Sequence, residues 1–251
     1  MRRFDINACF GHWPYWDLRH KTPEDLLGLM DRNGIDRAAC LSLRGIFMDW
    51  RAGNAETLAA SAASAGRLVP MATISPFLGG GGDELRKVLD AGARGVRLYP
   101  SLHSFRLDSE FVDDICGVAA ERRVPVVIQT RLMMSWRFPA LPMEPIEGAI
   151  ERHPETRFVV SGPNYLAENQ ALLKVMQRCA NVWYEISCLQ GFDGIKKLVA
   201  EVGVERVLFG TGAVLNYPAC NVAKLDGADI ADPQRAAIAS ENALRLVGIL
   251  E

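Results

Sequence analysis

Short apolar runs alternate with amphipathic stretches along the chain, and this pattern predicts strands that each lead into a helix. The apolar runs show no clean two-residue alternation, which is typical of parallel strands that are buried on both faces. The predicted strands lie near residues 3–8, 37–43, 68–74, 95–99, 124–129, 157–161, 182–186 and 206–209. The predicted helices lie near residues 23–33, 55–65, 83–90, 109–121, 145–152, 166–179, 193–202 and 233–247.

The first of these helices has clear signals at both ends. Thr22 is a good N-cap, Pro23 fits the first helical position, and Asp25 places negative charge in the first turn. Asn33 followed by Gly34 is a typical stop. These signals predict that the helix begins directly after Thr22 and ends at the Asn-Gly pair.

The strand–helix alternation repeats over the whole chain of 251 residues. Each unit takes roughly 30 residues, and closed barrels of eight parallel strands use about 250. The sequence therefore predicts an α/β fold in which residues 1–251 form a single (β/α)8 TIM barrel. The alternative is an open doubly wound sheet. It is disfavoured because no glycine-rich phosphate loop follows the first strand.

Charge and composition narrow the classes of function. Lys and Arg total 28 and Asp and Glu total 30, so the formal net charge is −2, which offers no electrostatic footprint for nucleic acid or an anionic membrane. The sequence contains no uninterrupted apolar stretch that predicts a membrane span or an export leader. The six cysteines form no close pairs, so we expect a cytoplasmic protein with reduced thiols. Its four histidines offer few ligands for a histidine-built metal site.

Polar residues at the carboxyl ends of the predicted strands mark the candidate site, because active sites of this barrel lie there. Arg97 and Tyr99 close the fourth strand, and His103 just beyond it is the candidate general acid or base. These three residues form the candidate catalytic set. The candidate substrate-binding residues are Asn7, Cys9, His12, Arg44, Gln129, Arg131, Glu185 and Thr211.

The arginines of this set suggest an anionic ligand. The guanidinium groups of Arg44, Arg97 and Arg131 are predicted to line one positively charged opening at the strand ends, a cationic mouth that would face this ligand. Arginine binds carboxylates through two parallel hydrogen bonds. The structural alternative is that each arginine pairs with a neighbouring acid such as Glu185, because an unpaired buried charge is costly. We expect a small organic acid as the partner of such a mouth.

An aromatic loop follows the first strand and contains Trp13, Tyr15 and Trp16. These side chains form a ligand wall, the packed core of a loop or a subunit contact, and the sequence leaves the three alternatives open. A strand-end mouth filled by Trp13, Trp136 or Phe138 would favour a barrel that binds without catalysing a reaction.

Seven segments follow one another in a recognisable order, namely FDINACFG, GARGVRLYP, VPVVIQT, RFVVSGPN, NVWYEIS, GVERVLFGTG and SENALRLVGI. From about Asp5 to Ile249 they resemble the amidohydrolase-related family. Members of that family are metal-dependent hydrolases with a TIM-barrel fold, and they include decarboxylases and lactonases. The resemblance implies the same fold and a site at the strand ends.

The positions that hold the metal in that family carry other residues here. The resemblance aligns Asn7 and Cys9 with two histidines of the first strand and Gln129 with a histidine near the end of the fifth. Gly162 stands where the sixth strand offers a histidine, and Gly212 stands where the eighth offers an acid. Amides are weak neutral ligands and glycine has no side chain, whereas a hydrolytic zinc site takes about three protein ligands. We therefore expect no metal and no cofactor.

Three functional hypotheses follow. The first is a metal-independent hydrolase or C–C lyase acting on a small carboxylate-bearing organic acid, lactone or ester, in which Arg97 and Arg131 bind the carboxylate and His103 moves a proton. The second is a catalytically inactive barrel that binds a ligand or a partner protein. The third is a re-wired metal site on Cys9, His12 and His103. The sequence leaves open whether the chain forms a homo-oligomer.

Overall fold

The strands of the protein follow the predicted pattern. The computed structural model describes residues 1–133 and 140–249. The described chain forms nine strand segments, β1 (Phe4–Phe10), β2 (Arg37–Ser42), β3 (Leu68–Pro70), β4 (Ala72–Thr73), β5 (Val96–Leu98), β6 (Pro125–Gln129), β7 (Arg157–Ser161), β8 (Val182–Glu185) and β9 (Val207–Leu208). Every residue of β1 and β6 is buried, as expected for strands covered on both faces.

These segments close into a barrel of parallel strands. β1, β2 and β3 form one ladder, and β4 to β9 form a second in sequence order. Met71 joins β3 to β4, and its amide donates to the carbonyl of Cys40 at 2.9 Å, so the two segments act as one irregular strand. The Ile6 amide donates to the carbonyl of Phe209 at 3.0 Å and joins the last strand to the first. The described residues thus form an eight-stranded barrel, which confirms the predicted fold. One domain over residues 1–251 stays a prediction.

Helices cover the outside of the barrel. The helices of the described chain are α1 (Pro23–Arg32), α2 (Arg44–Phe47), α3 (Trp50–Ala63), α4 (Gly82–Asp90), α5 (Pro100–His103), α6 (Glu110–Arg122), α7 (Met143–Arg152), α8 (Leu166–Arg178), α9 (Gly194–Val202), α10 (Pro218–Asp226), α11 (Asp232–Ala236) and α12 (Asn242–Leu246). A π-helical turn, Ala237–Glu241, joins α11 to α12. None of the described helices is long and apolar enough to cross a membrane.

Helix ends agree with the sequence where a capping signal exists. Thr22 and Asp25 form a capping box at the start of α1, as predicted from the Thr-Pro-Glu-Asp run. α3 begins at Trp50 rather than near residue 55, because the Asp49 side chain accepts from the amides of Arg51 and Ala52. α2, α5 and α10 were not expected, and the first two have four residues each, too few to show a helical period.

The barrel interior is apolar in its amino-terminal half. Inward side chains there pack against α12, and this interior cluster comprises Phe4, Ile6, Ala39, Val69, Met71, Val127, Val159, Leu208, Ala243, Leu246 and Val247. Asn242 fastens α12 to the end of the barrel by donating to the carbonyls of Val204 and Val207 at 2.8 and 2.9 Å. Since this end is closed by the helix, the buried polar side chains are concentrated in the carboxyl half of the interior.

Candidate functional site

Arg97 projects from β5 into the barrel and is only 1% exposed. Its Nη2 donates to the carbonyls of Ile6 and Ala39 at 2.7 and 2.6 Å. Its Nη1 donates to the carbonyl of Ala8 at 2.9 Å and to Oδ1 of Asn7 at 3.3 Å. The pairing of β1 with β2 shifts register in this stretch, so the guanidinium supplies donors where the strand ladder is interrupted. Arg97 therefore connects β1 to β2 inside the barrel. The prediction that it binds a ligand carboxylate in an open pocket differs from this enclosed position.

Asn7 connects this cation to a buried carboxylate. Its Nδ2 donates to Oε2 of Glu185 at 3.0 Å and to Oγ of Ser161 at 3.0 Å. Glu185 lies at the end of β8, is fully buried, and also accepts from the Oγ of Ser187 at 2.8 Å and from Oγ of Ser161 at 2.5 Å. Hydrogen bonds of this kind offset the desolvation of a buried carboxylate. We call Asn7, Arg97, Ser161, Glu185 and Ser187 the strand-end network.

A second buried carboxyl, Asp5, ties the first strand to the last. Its Oδ1 accepts from the amides of Asn7 and Thr211, each at 2.9 Å, and its Oδ2 accepts from the Thr211 hydroxyl. Burial raises the pKa of Asp5 to about 6, with a smaller contribution from the charge of Glu185, against the lowering effect of these hydrogen bonds. Thr211 is thus a structural partner of Asp5 at the closure of the barrel.

Three of the predicted site residues, Tyr99, Gln129 and Arg131, meet at a small cavity. It has a volume of about 20 Å³ and is lined by Tyr99, Ser101, Leu102, Gln129, Thr130, Arg131 and Leu132. Arg131 forms an ion pair with Glu168 of α8, while Gln129 donates to the Arg131 carbonyl at 2.7 Å. Within the described chain, Oε1 of Gln129 and Nε of Arg131 are buried without a hydrogen-bond partner. Burial raises the pKa of Tyr99 to about 12, so its hydroxyl stays protonated at neutral pH.

His103 ends α5 beside Tyr99, with ring centroids 5.9 Å apart. Its Nε2 lies 3.0 Å from the carbonyl of Ile46 and therefore carries the proton of the neutral ring. Burial lowers the pKa of His103, so the ring is neutral at pH 7. The described residues that line the cavity do not include His103, because its ring faces α2 instead.

Trp13 covers the carboxyl end of the barrel and is 1% exposed. It belongs to a buried apolar cluster with Cys9, Leu41, Leu43, Ile46 and Tyr99, which we call the apolar cap. Cys9 is buried in this cap, and burial raises the pKa of its thiol to about 11. Trp13 is therefore part of a packed core at the strand ends, which is one of the alternatives that the sequence left open. Trp136 and Phe138 lie outside the described residues.

Two predicted binding residues lie away from the interior. Arg44 is exposed and pairs with Glu56 at 2.8 Å. His12 is exposed on the loop that precedes Trp13. Arg44, Arg97 and Arg131 each have a separate partner, so the structure does not bring them together as one cationic mouth. The physical reason is the cost of leaving a guanidinium without a counter-charge or carbonyl acceptors.

One buried and one partly buried charged residue were missed by the sequence reasoning. Asp5 could have been found, since it is a single acid inside the apolar run FDINACF and must have buried partners. Lys224 lies on the unexpected helix α10 and donates to the carbonyls of Ile186 and Leu189 at 2.6 and 3.0 Å. Burial lowers its pKa, and its charge lies close to Glu185. Nothing in the sequence signals that role, because α10 itself was not predicted.

The parallel barrel with a polar network at its strand ends defines a (β/α)8-barrel protein of the kind that carries many different chemistries. The family model for amidohydrolases matches residues 13–249, and the chain belongs to that family. A search of the curated proteins finds no match.

Solved structures with the same fold cover almost the entire chain. An uncharacterized TIM-barrel protein from Bordetella bronchiseptica is 17% identical with a TM-score of 0.78, and the alignment covers 99% of each chain. 5-Carboxyvanillate decarboxylase from Sphingomonas paucimobilis is 14% identical with a TM-score of 0.76, again with 99% of each chain covered. A dihydroxybenzoic acid decarboxylase from a Polaromonas species, with bound manganese and the inhibitor 2-nitroresorcinol, is 15% identical with a TM-score of 0.73, covering 98% of this chain and 97% of that one. At these identities the likeness concerns the fold.

The manganese bound in that structure raises the question of whether the described residues of this chain could hold a metal. No group of three or more His, Cys, Asp or Glu side chains in the described residues is arranged to hold an ion. A Cβ at Gly162 would lie 2.5 Å from Oγ1 of Thr130, and one at Gly212 would lie 2.3 Å from Nδ2 of Asn216. At Gly162, φ is positive and the added Cβ would also lie 2.9 Å from the backbone nitrogen of Arg131, so a side chain there is strained, whereas at Gly212 the contact is with the side chain of Asn216. At the positions that the family resemblance assigns to the metal, Asn7 and Gln129 offer neutral amides, and Gly162 and Gly212 offer no side chain.

Proposed function

We propose that this member of the amidohydrolase family works without a divalent cation and binds a small organic acid at the carboxyl ends of its strands. The observation that carries the proposal is the Arg97 guanidinium, which holds Asn7 and three strand carbonyls where the family pattern has a metal ligand. A fixed buried cation at this point repels a divalent cation placed beside it.

The cavity beside β6 supports a particular ligand chemistry. Nε of Arg131 is an unused donor and Oε1 of Gln129 an unused acceptor among the described residues, and buried polar atoms of this kind are costly unless a ligand or water satisfies them. A carboxylate oxygen would accept from Arg131, and a hydroxyl group next to that carboxylate would donate to Gln129. The cavity of about 20 Å³ has room for about one water-sized group, so it would take one oxygen of the ligand while the rest of the molecule lies outside it. The exposed residue Ser101 lines it on the solvent side.

Hydroxybenzoates with a hydroxyl group ortho to the carboxylate have the required pair of groups. One of the solved relatives is named for 5-carboxyvanillate, an acid of this type, and another is named for a dihydroxybenzoic acid. We extend the ligand class, but not the reaction, to this chain. Arg97 is enclosed, His103 faces Ile46 and Trp13 covers the barrel axis, so the geometry favours binding over turnover.

A second candidate is the metal-independent hydrolase or C–C lyase acting on a small organic acid, lactone or ester. It is supported by the neutral imidazole of His103, whose ring lies 5.9 Å from that of Tyr99 and could accept a proton at neutral pH. Here Arg131 would bind the carboxylate and His103 would act as the base.

Calorimetric titration with 2,6-dihydroxybenzoate in buffer containing a chelator tests the proposal. The isomer 3,5-dihydroxybenzoate, which lacks the ortho hydroxyl, is the matched ligand control. Arg131→Gln removes the proposed donor, and Arg106→Gln, at an exposed position paired with Asp108, is the matched protein control. We expect the 2,6 isomer to bind at least about tenfold more tightly than the 3,5 isomer, because its ortho hydroxyl can donate to Gln129. Arg131→Gln should weaken the binding of both isomers by at least about tenfold, because it removes the donor to the carboxylate that they share.

Equal affinity for the two isomers, or an unchanged affinity for both in Arg131→Gln, would contradict the proposed ligand site. Chromatographic assay of the same mixtures, extended to lactones and esters, decides between binding and turnover. Metal-free turnover that His103→Asn abolishes would establish the second candidate. Binding without product formation supports the first.

A further inference from the structure

A large cleft lies at the opposite end of the barrel from the strand-end network. It has a volume of about 690 Å³ and is lined by Arg157, Met176, Gln177, Arg178, Cys179, Ala180, Trp183, Glu205, Arg206, Asn242, Arg245 and Leu246. Arg157 begins β7, Arg206 precedes β9 and Arg245 lies on α12, so the cleft opens at the amino ends of the strands. Cavities of roughly 300–1,000 Å³ are the usual size for sites of small molecules.

The charges of this cleft are strongly unbalanced. Arg178 is neutralised by the ion pair with Glu147, and Glu205 is the acid among the described lining residues. Arg157, Arg206 and Arg245 form no ion pair with a described residue. Arg206 is held by backbone carbonyls, whereas the exposed Arg245 makes no hydrogen bond within the described chain. Three arginines without an ion-pair partner among the described residues thus line one cleft that has a single acid in its lining, and two of them, Arg157 and Arg206, also donate to backbone carbonyls.

A flat apolar surface accompanies these cations. Trp183 of β8 is half-buried in the cleft, and its Nε1 donates to the carbonyl of Glu205 at 3.1 Å, which fixes the orientation of the indole. A fixed indole offers a stacking face to a planar ring, and the arginine forks suit the oxygens of phosphate groups. A diphosphate, with its multiple negative charges, matches three guanidiniums better than a single carboxylate does.

We infer that this amino-end cleft binds an organic phosphate that carries a flat ring, with the phosphates on Arg157, Arg206 and Arg245 and the ring on Trp183. A nucleoside diphosphate has both parts. The site is separate from the strand-end network, so this inference does not rest on the proposed function.

Titration of the full chain with ADP, monitored by tryptophan fluorescence and by calorimetry, tests this inference. Pyrophosphate supplies the charge without the ring, and adenosine supplies the ring without the charge. We expect ADP to bind more tightly than either fragment and its affinity to fall with added salt. Arg245→Gln and Arg157→Gln should each weaken ADP binding by about tenfold, since each removes charge-assisted hydrogen bonds. Trp183→Phe should remove most of the fluorescence change.

Arg106→Gln, at the exposed pair with Asp108 outside the cleft, is the control and should leave ADP binding unchanged. Because the Arg245 side chain has no described partner, its substitution should leave the thermal midpoint unchanged, which separates loss of binding from loss of fold. The inference fails if ADP binds no more tightly than pyrophosphate. It also fails if Arg245→Gln binds ADP as the unchanged protein does.

Discussion

Individual buried side chains at the strand ends are explained by the partners that they satisfy. Arg97 donates four hydrogen bonds, three to carbonyls of β1 and β2 and one to the side chain of Asn7. Asn7 in turn donates to Glu185. A cation and a carboxylate are thus joined through one neutral amide within the barrel. Removal of either charged partner would leave buried polar atoms without their hydrogen-bond partner, so the network is a strong determinant of stability.

Replacement of Arg97 by Met should lower the free energy of unfolding by about 3–5 kcal/mol, because the carbonyls of Ile6, Ala8 and Ala39 lose their donor in the buried interior. Equilibrium unfolding in urea measures this loss. Arg106→Met, whose side chain is 83% exposed, should change stability by no more than about 0.5 kcal/mol. An Arg97→Met variant as stable as the Arg106 control would show that the guanidinium does not hold the barrel wall.

Asp5 should give the stability a measurable pH dependence. Its pKa is raised to about 6 in the folded protein, so the folded state binds more protons than the unfolded state between about pH 4 and pH 6. The stabilising contribution of protonated Asp5 is therefore present at low pH and is lost as the pH rises through 6. Asp5→Asn lacks this titration. The free energy of unfolding of Asp5→Asn minus that of the unchanged protein should therefore rise by about 1–3 kcal/mol between pH 4 and pH 7.

Urea unfolding of both proteins at several pH values checks that difference. A stability difference that stays constant from pH 4 to pH 7 would show that Asp5 titrates alike in the folded and unfolded chain. A difference that falls with rising pH would reverse the sign of the argument.

Site residues illustrate what a sequence can and cannot predict. The polar positions at the strand ends were recognisable, because the barrel architecture places those ends together. Their partners were not, because partner choice depends on strand register. The shift in the β1–β2 pairing, which lets Arg97 reach Ile6 and Ala8, has no signal in the residue types.

At the scale of elements, long helices and buried strands were predictable from their apolar pattern and end signals, as α1 shows with its capping box at Thr22. Short elements were not, and α2 is held by packing instead. A Cβ on Gly53 of α3 would lie 2.2 Å from the backbone nitrogen of Gly45 in α2. The two glycines let these helices approach closely enough to cover the end of the barrel near the apolar cap.

Gly53→Ala should therefore destabilise the protein by about 1–3 kcal/mol, since the clash involves backbone rather than a mobile side chain. The matched control is Gly117→Ala in α6, where an added Cβ meets nothing within 4 Å. That substitution should stabilise the chain by up to about 1 kcal/mol, because alanine has the higher helix propensity. Thermal unfolding of both variants measures the contrast. Equal effects of the two substitutions would contradict the close α2–α3 approach.

At the scale of the whole molecule, the alternation of strand and helix was enough to predict the closed barrel, because eight short buried strands with covering helices have few other arrangements. The same reading predicts loss of the metal ligands at Asn7, Cys9 and Gly212, and this stays a prediction. It did not predict the enclosed guanidinium of Arg97 or the apolar cap with Trp13.

The most direct test of the account is the metal content of the protein, purified without a chelator and then titrated with manganese while its thermal midpoint is followed. A bound ion at 100 times its dissociation constant would stabilise the fold by about 2.7 kcal/mol, which for a chain of this size raises the midpoint by several degrees. We predict less than about 0.1 ion per chain and no manganese-dependent shift. A stoichiometric ion, with a midpoint that falls when a chelator removes it, would contradict the account.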